Sequence, residues 1–235
     1  MNEKHISSRF DADLRDVSNR VLEMGGLAES QVVLAMHALT HIDGDAALQV
    51  LQQEERVNQM EVEIDATMQR IIAMRQPAAV DLRLLIAVSK AIANLERVGD
   101  EAARIARTVQ RLIDTGVSSR LRLPVADLSH ESDLAIAQLR RSLDAFARLD
   151  AQQALEVLKH DDQIDQEFDG LLRKLITYMM EDPRTISSSL DLVFVAKAIE
   201  RVGDHAKNLA EATIYVVKGT DVRHHTVADV ENVVR

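Results

Sequence analysis

The chain has 235 residues, enough for one large domain or two small ones. Its formal net charge of −10 argues against nucleic-acid binding, because proteins that bind nucleic acids usually carry a basic surface. It contains no cysteine, which excludes disulfides and thiolate metal sites. Aromatic residues make up only 3% of a chain that has few prolines and glycines, and this composition favours helices over strands.

The apolar stretches of the sequence are short. The N-terminus, MNEKHISSRFDADLRD, lacks the apolar core of a signal peptide. The stretches LLIAV and LVFVA end near Lys90 and Lys197, far below the ~20 residues that a membrane-spanning helix needs. We therefore expect a soluble protein of the cytoplasm.

Apolar residues recur with helical spacing along most of the chain. Turn signals interrupt this pattern at HIDGD, which begins at His41, and around Pro77 and Pro183. The pattern predicts six long helices, the fifth of them capped by Asp150, and a polar tail with a short last helix. The six helices are expected at 10–41, 46–74, 82–112, 125–149, 151–180 and 190–217.

Three landmarks occur twice in the same order. The pentapeptide ERVGD begins at Glu96 and again at Glu200, an offset of 104 residues. AALQVLQQEERVNQME resembles QALEVLKHDDQIDQEF at an offset of 107, and the two turn prolines are 106 apart. Such an internal repeat predicts two copies of a three-helix unit. The expected fold is all-α, with two tandem antiparallel three-helix bundles related by a pseudo-two-fold axis. The expected domains are residues 1–115 and 125–218, with a linker at 116–124 and a polar tail at 219–235.

The repeated pentapeptide places two carboxylates one helical turn apart. Glu96 and Asp100, like Glu200 and Asp204, project from one face of a helix. Carboxylates this close repel each other, so they need either basic partners or a bound cation. Salt bridges are the simpler alternative, but their pattern is not repeated, since Asp100 faces Arg104 whereas Asp204 faces Asn208.

The preceding helix of each unit carries a second pair of oxygen-bearing side chains. These are Asp161 and Asp165 in the second unit, and Glu54 and Asn58 in the first. Because neighbouring helices bring the pairs together, four such side chains could converge on an ion in each unit. An all-oxygen cluster suits hard cations. The sequence thus predicts two metal sites, and the first should bind more weakly because Asn58 lacks a charge. The candidate ligands are Glu54, Asn58, Glu96, Asp100, Asp161, Asp165, Glu200 and Asp204.

Several familiar sites have no counterpart in the sequence. The Glu-x-x-His motif of ferritin-type di-iron sites is absent, and so is the glycine-rich phosphate loop of nucleotide hydrolases. The histidines show no metal-ligand spacing, although His205 lies next to Asp204. An isolated glycine inside each ERVGD helix, Gly99 or Gly203, indicates close approach by a neighbouring helix or by a hydrated ion.

Taken together, these stretches resemble the PhoU family of phosphate-transport accessory and regulatory proteins. The resemblance rests on KHISSRFDADL, MGGLAESQV, MEVEIDATMQRIIAMRQPAAVDLRLL, LERVGD, DQEFDGLLRKLITYMMEDPRTI and IERVGDHAKNLAE, which span nearly the whole chain. It implies two three-helix bundles, frequent homodimers, and metal motifs of the form E/D-x-x-x-D. Three residue pairs match that motif, whereas Glu54 and Asn58 depart from it, which puts one metal cluster in doubt. The ion could be Mg, Mn, Zn, Ca or Fe.

The resemblance also implies a function. Members of the family repress the phosphate-starvation response and restrain phosphate uptake. They are thought to couple the ATPase subunit of the phosphate ABC transporter (PstB-like) to the sensor histidine kinase of the phosphate regulon (PhoR-like). No catalysis and no nucleic-acid binding are implied, and membrane association would occur only through partners.

Two other hypotheses stay open on the residues alone. The clustered carboxylates could serve a metal-dependent phosphohydrolase, although no general base is evident. Alternatively, bound metals could contact phosphate or an anionic membrane surface, since a cation reverses the charge of an acidic patch.

Overall fold

The structure is a computed structural model that describes residues 8–116 and 124–235. Within those ranges it is helical, with no β-strand. The elements are α1 (Ser8–His41), α2 (Gly44–Arg75), α3 (Ala79–Asp114), α4 (Val125–Arg148), α5 (Ala151–Lys159), α6 (Asp161–Glu181), a short 3-10 helix (Pro183–Thr185), α7 (Ile186–Lys218) and α8 (Val227–Val234). No helix in the described ranges is both long enough and apolar enough to cross a lipid bilayer.

The helix boundaries follow from local chemistry. Asp43 caps α2 by accepting hydrogen bonds from the N–H groups of Asp45 and Ala46, both at 3.0 Å. Asp150 caps α5 in the same way, as predicted. At its other end α2 stops at Gln76, whose left-handed conformation directly precedes Pro77. The predicted turns around Pro77 and Pro183 are confirmed.

The predicted fifth helix is wrong in one respect, because the structure divides it at His160 into α5 and α6. The His160 Nδ1 atom lies 2.7 Å from the carbonyl oxygen of Glu156, the group that an uninterrupted helix would pair with the His160 backbone N–H. That N–H donates instead to the carbonyl of Val157. A side chain that competes for the helical carbonyl thus accompanies the break. As a result, Asp161 sits in the first turn of α6, where the helix dipole favours a negative charge.

The helices pack as two groups that share one core. In the first half α1, α2 and α3 contact one another, and in the second half α7 packs against α4, α5 and α6. One apolar cluster extends from Phe10 on α1 to Val216 on α7, so the two halves are joined by buried side chains. This confirms the all-α class with paired helical bundles. The domain bounds stay a prediction, and residues 117–123 of the expected linker lie outside the described residues.

The largest contact between the halves is made by α3 and α7. The two helices run antiparallel, because Arg111 near the end of α3 pairs with Asp191 near the start of α7 at 2.7 Å. Midway along, Arg201 of α7 pairs with Glu101 of α3 at 3.1 Å. We call this α3–α7 contact the seam. It brings the two copies of ERVGD opposite each other.

Residues 219–235, expected to be a polar tail, include α8 and several buried valines. Thr226 and Asp229 form a reciprocal cap at the start of α8. The valines pack into a small second apolar cluster with α5 and the end of α7, and they are Val222, Val230 and Val234. This segment therefore covers the end of the second bundle.

The glycines of the two ERVGD copies mark close helix crossings. A Cβ atom added to Gly203 would lie 2.7 Å from the Cδ1 atom of Ile164 on α6. One added to Gly99 would lie 3.4 Å from Val57 on α2 and 3.0 Å from the Oε1 atom of Gln31 on α1. Val57 and Ile164 differ by 107 residues, the offset of the repeat. Of the two alternatives for these glycines, the structure therefore shows the approach of a neighbouring helix.

This crossing predicts opposite effects for two Gly→Ala substitutions. Gly203→Ala should lower the free energy of unfolding by about 1–2 kcal/mol, because overpacking against buried Ile164 exceeds the gain in helix propensity. Gly170→Ala, on an open face of α6, should raise it by about 0.5–1 kcal/mol. Urea denaturation measures both changes.

The matched test of the contact is Ile164→Val, which removes the Cδ1 atom. In that background Gly203→Ala should become neutral or stabilising. Equal stabilisation by both alanine substitutions in the wild-type background would contradict a close crossing at Gly203.

Candidate metal centre

The acids of α6 and α7 face each other in the second half. Asp161 and Glu200 are nearly buried, with 7% and 9% of their surface exposed, whereas Asp165 and Asp204 lie further out. Burial, followed by the charges of Glu200, Asp161 and Asp165, raises the pKa of Asp204 to about 6. Burial, then Asp161 and Glu200, likewise raises the pKa of Asp165. The four predicted ligands therefore form one electrostatic group, which we call the second acid cluster.

Lysine side chains already neutralise the two inner carboxylates of this cluster. Lys207 donates to Asp161 at 2.5 Å, and Gln138 of α4 donates to the same carboxylate at 3.0 Å. Lys197 donates to Glu200 at 2.5 Å. Any cation that entered would have to displace these ammonium groups, so occupancy depends on a competition between the lysines and the ion.

Glu131 of α4 lies beside this cluster and was not among the predicted ligands. It is 1% exposed, and neither of its carboxylate oxygens has a hydrogen-bond partner. Burial, together with the smaller effect of the charge of Glu200, raises its pKa to about 8. The Oε2 atom of Glu200 is also buried without a partner. A usable signal was present in the sequence, because Glu131 lies three residues after Leu128 and four before Ala135, on the apolar face of its helix.

The first half has a counterpart, which we call the first acid cluster and which consists of Glu54, Asn58, Glu96 and Asp100. Burial raises the pKa of Glu96, and the charges of Asp100, Glu61 and Glu54 act in the same direction. Glu54 pairs with Arg107 at 2.8 Å, and Asn58 is exposed. The position that corresponds to Glu131 at the offset of 107 is Met24, which is fully buried. The two clusters thus occupy equivalent positions of the two repeats but differ in charge and in burial.

The donor atoms suit a hard cation, whereas their present positions do not form a coordination shell. Both clusters offer carboxylate oxygens, and three such oxygens are buried without partners at the second: one on Glu200 and two on the adjacent Glu131. In the described part of the chain, however, no three His, Asp or Glu side chains converge closely enough to hold a metal ion. The predicted ligand set therefore stays a prediction, and binding would require side-chain rearrangement.

His205 takes part in the seam. Its Nδ1 atom lies 3.0 Å from the Oδ1 atom of Asn94 on α3, which also accepts a hydrogen bond from Asn208. Burial, followed by the charges of Arg97 and Arg201, lowers the pKa of His205 to about 4. The imidazole is therefore neutral at pH 7 and links the two halves.

Glu131 predicts an unusual dependence of stability on pH. Because its pKa rises from 4.5 in the unfolded chain to about 8 in the fold, the folded protein keeps a proton that the unfolded chain releases. This contribution to stability is complete below pH 4.5 and is lost as the pH rises to about 8. The slope approaches about 1.4 kcal/mol per pH unit within that window.

Glu131→Gln should remove this contribution, so its stability relative to the wild type should grow between pH 5 and pH 8. Glu131→Met, which copies Met24 of the first half, should show the same trend. The measurement is urea denaturation at several pH values with a chelator present. A stability difference that does not change with pH would contradict a buried, protonated Glu131.

Comparisons with known proteins agree with the repeat. A family model described as the PhoU domain matches residues 21–109 and 128–213, one match in each half. The chain is 50% identical over 224 residues to a Burkholderia protein named phosphate-specific transport system accessory protein PhoU homolog, covering 95% of both chains. It is 44% identical over 221 residues to the Escherichia coli K12 protein named phosphate-specific transport system accessory protein PhoU, covering 94% of this chain and 90% of that one.

Two solved structures share the fold. The crystal structure of PhoU from Pseudomonas aeruginosa superposes with a TM-score of 0.85 at 45% identity, covering 90% of this chain and all of the other. The phosphate transport system regulatory protein PhoU from Streptococcus pneumoniae gives a TM-score of 0.83 at 28% identity, covering 91% and 99%. Sequence and fold agree over nearly the full length, and the chain belongs to the PhoU family.

Proposed function

We propose that this protein is a regulatory accessory subunit of a phosphate transport system. In this role it would restrain phosphate uptake and repress the phosphate-starvation response when phosphate is plentiful. It would do so by coupling the ATPase subunit of the transporter to the sensor histidine kinase. The observation that carries the proposal is the match of both halves to a family whose members are named phosphate-specific transport system accessory proteins.

The architecture supports an adaptor role. The two halves share a core and a charged seam, so they can hold two binding faces in a fixed relation. Apolar side chains are exposed at equivalent places on each half, with Leu82 and Ile86 on α3, and Ile186 and Leu190 on α7. Because α3 and α7 run antiparallel, these places lie at opposite ends of the seam. This arrangement fits a non-catalytic adaptor that binds two partners. A homodimer would carry twice as many of these binding faces.

Deletion of the gene should derepress a reporter of the phosphate-starvation response in cells grown with abundant phosphate. Expression of the wild-type chain should restore repression. The tagged protein should also retain the transporter ATPase and the sensor kinase when it is purified from the same cells. Unchanged reporter activity in the deletion strain, together with the absence of both partners from the purified material, would contradict the proposed coupling.

We further propose that the second acid cluster binds a divalent or trivalent cation, held by Asp161, Asp165, Glu200 and Asp204 with Glu131 behind them. The partnerless buried oxygens of Glu200 and Glu131 support this, because a hard cation would satisfy them. The all-oxygen donor set favours Mg²⁺, Ca²⁺, Mn²⁺ or iron over zinc, which commonly binds nitrogen or sulfur ligands. The first acid cluster should bind more weakly, because Asn58 is uncharged and Arg107 holds Glu54.

Metal analysis of protein purified without chelator should find bound cation in the wild type, and the double variant Glu200→Ala, Asp204→Ala should lose it. Asp162→Ala, an exposed neighbour on α6, is the matched control and should keep it. Lys207→Met should bind Mn²⁺ roughly tenfold more tightly, since it removes an ammonium worth about 1.4 kcal/mol of competition. Equal metal content in the double variant and the control would contradict this site.

A further inference from the structure

A cavity of about 510 Å³ opens on the seam between α3 and α7. Its lining comes from both ERVGD segments and the helical turns that follow them. Eight of its residues form four pairs, each with the repeat offset of 104. They are Arg97 with Arg201, Asp100 with Asp204, Glu101 with His205, and Arg104 with Asn208. The cavity therefore straddles the pseudo-two-fold axis, and the same helical face of each repeat lines it.

This cavity is rich in cationic side chains although the whole chain is acidic. Four basic residues line it against three acids, whereas the chain carries a net charge of −10. Lys207 is the fourth basic residue, and no basic residue corresponds to it in the first half, where Ala103 takes its place. Because Lys207 already pairs with Asp161, the positive charge that remains available to a ligand comes from the three arginines.

The arginines that line the cavity do not all have an ion-pair partner of their own within the protein. Arg104 and Arg201 share the single carboxylate of Glu101, at 3.2 and 3.1 Å. Arg97 is exposed and forms no hydrogen bond or ion pair in the described ranges, although its charge acts on Glu61 and Glu96 from a longer distance. Two guanidinium groups therefore share one carboxylate, and the third, that of Arg97, has no bonded partner among the described residues and can bind an anion.

We infer that this cavity is a binding site for a phosphate-type oxyanion, held by Arg97 and Arg201 from equivalent positions of the two repeats. The planar donor fork of arginine matches the oxygens of a phosphate group, and two such forks can hold it from opposite sides. The volume suits either a free phosphate ion or a phosphate group carried by a nucleotide. The choice of phosphate among oxyanions rests on the proposed function, whereas the anion site itself rests on the arginines.

Such a site would make the seam sensitive to its ligand. An anion between Arg97 and Arg201 would draw Arg201 away from Glu101, and the ion pair that joins α3 to α7 would weaken. Ligand binding would in turn stabilise the folded protein as the ligand concentration exceeds its dissociation constant. Phosphate binding could then affect both halves of the adaptor by weakening one ion pair, that between Arg201 and Glu101.

The test is isothermal titration of the purified full chain with inorganic phosphate and, in a separate arm, with ATP. EDTA is present in both arms, so that bound metal cannot account for anion binding. Wild-type protein should show saturable binding in at least one arm, and the stronger arm identifies the source of the phosphate group. Arg97→Gln should weaken that binding at least tenfold with little change in thermal stability, because Arg97 is exposed and forms no hydrogen bond or ion pair among the described residues. Arg184→Gln, which alters an arginine 92% exposed at the turn before α7, should bind as the wild type does.

No saturable binding in either arm, or equal binding by Arg97→Gln and the wild type, would overturn the inference. The assay uses purified protein only, so its result is independent of the reporter and purification experiments that test the regulatory function. A regulator that lacked this site would pass those experiments and fail this one.

Discussion

Close packing of α3 and α7 against neighbouring helices is the constraint on which the rest of the structure depends. Gly99 and Gly203 let Val57 and Ile164 approach the helix backbone. Each glycine lies between the two acids of its pentapeptide, so the crossing that needs the glycine also brings those acids near the acids of the adjacent helix. The same helical turn carries Arg97 or Arg201, and both line the cavity on the seam. One pentapeptide therefore serves the packing of its own half, an acid cluster, and the contact with the other half.

The two acid clusters occupy equivalent positions in the repeats but differ in their charges and in their ion-pair partners. In the second half, burial and mutual repulsion raise the pKa values of Asp165 and Asp204, and two lysines hold the inner carboxylates. In the first half, an amide replaces one acid and an arginine engages Glu54. Removal of charged groups from water is costly unless they are paired, so the second cluster carries the greater electrostatic strain. A cation would relieve that strain more in the second half than in the first.

The sequence was sufficient to predict the helices, the duplication and the neighbouring acid pairs, because all three depend on spacing along the chain. It was not sufficient for Glu131, whose burial depends on how α4 packs beside α7, nor for the break at His160, which depends on one side chain competing with the backbone. The arginine cavity was also missed. Arg97 and Arg201 are 104 residues apart, and only the antiparallel packing of the two repeats brings them together.

The second acid cluster can be tested most directly by a crystal structure of the protein soaked in Mn²⁺, with anomalous diffraction to locate the ion. The account predicts an anomalous peak between α6 and α7, within coordination distance of Glu200 and Asp161, with Lys207 turned away from the carboxylate. A structure in which Lys207 stays on Asp161 and no peak lies between these helices, at a Mn²⁺ concentration that saturates the protein in solution, would contradict it.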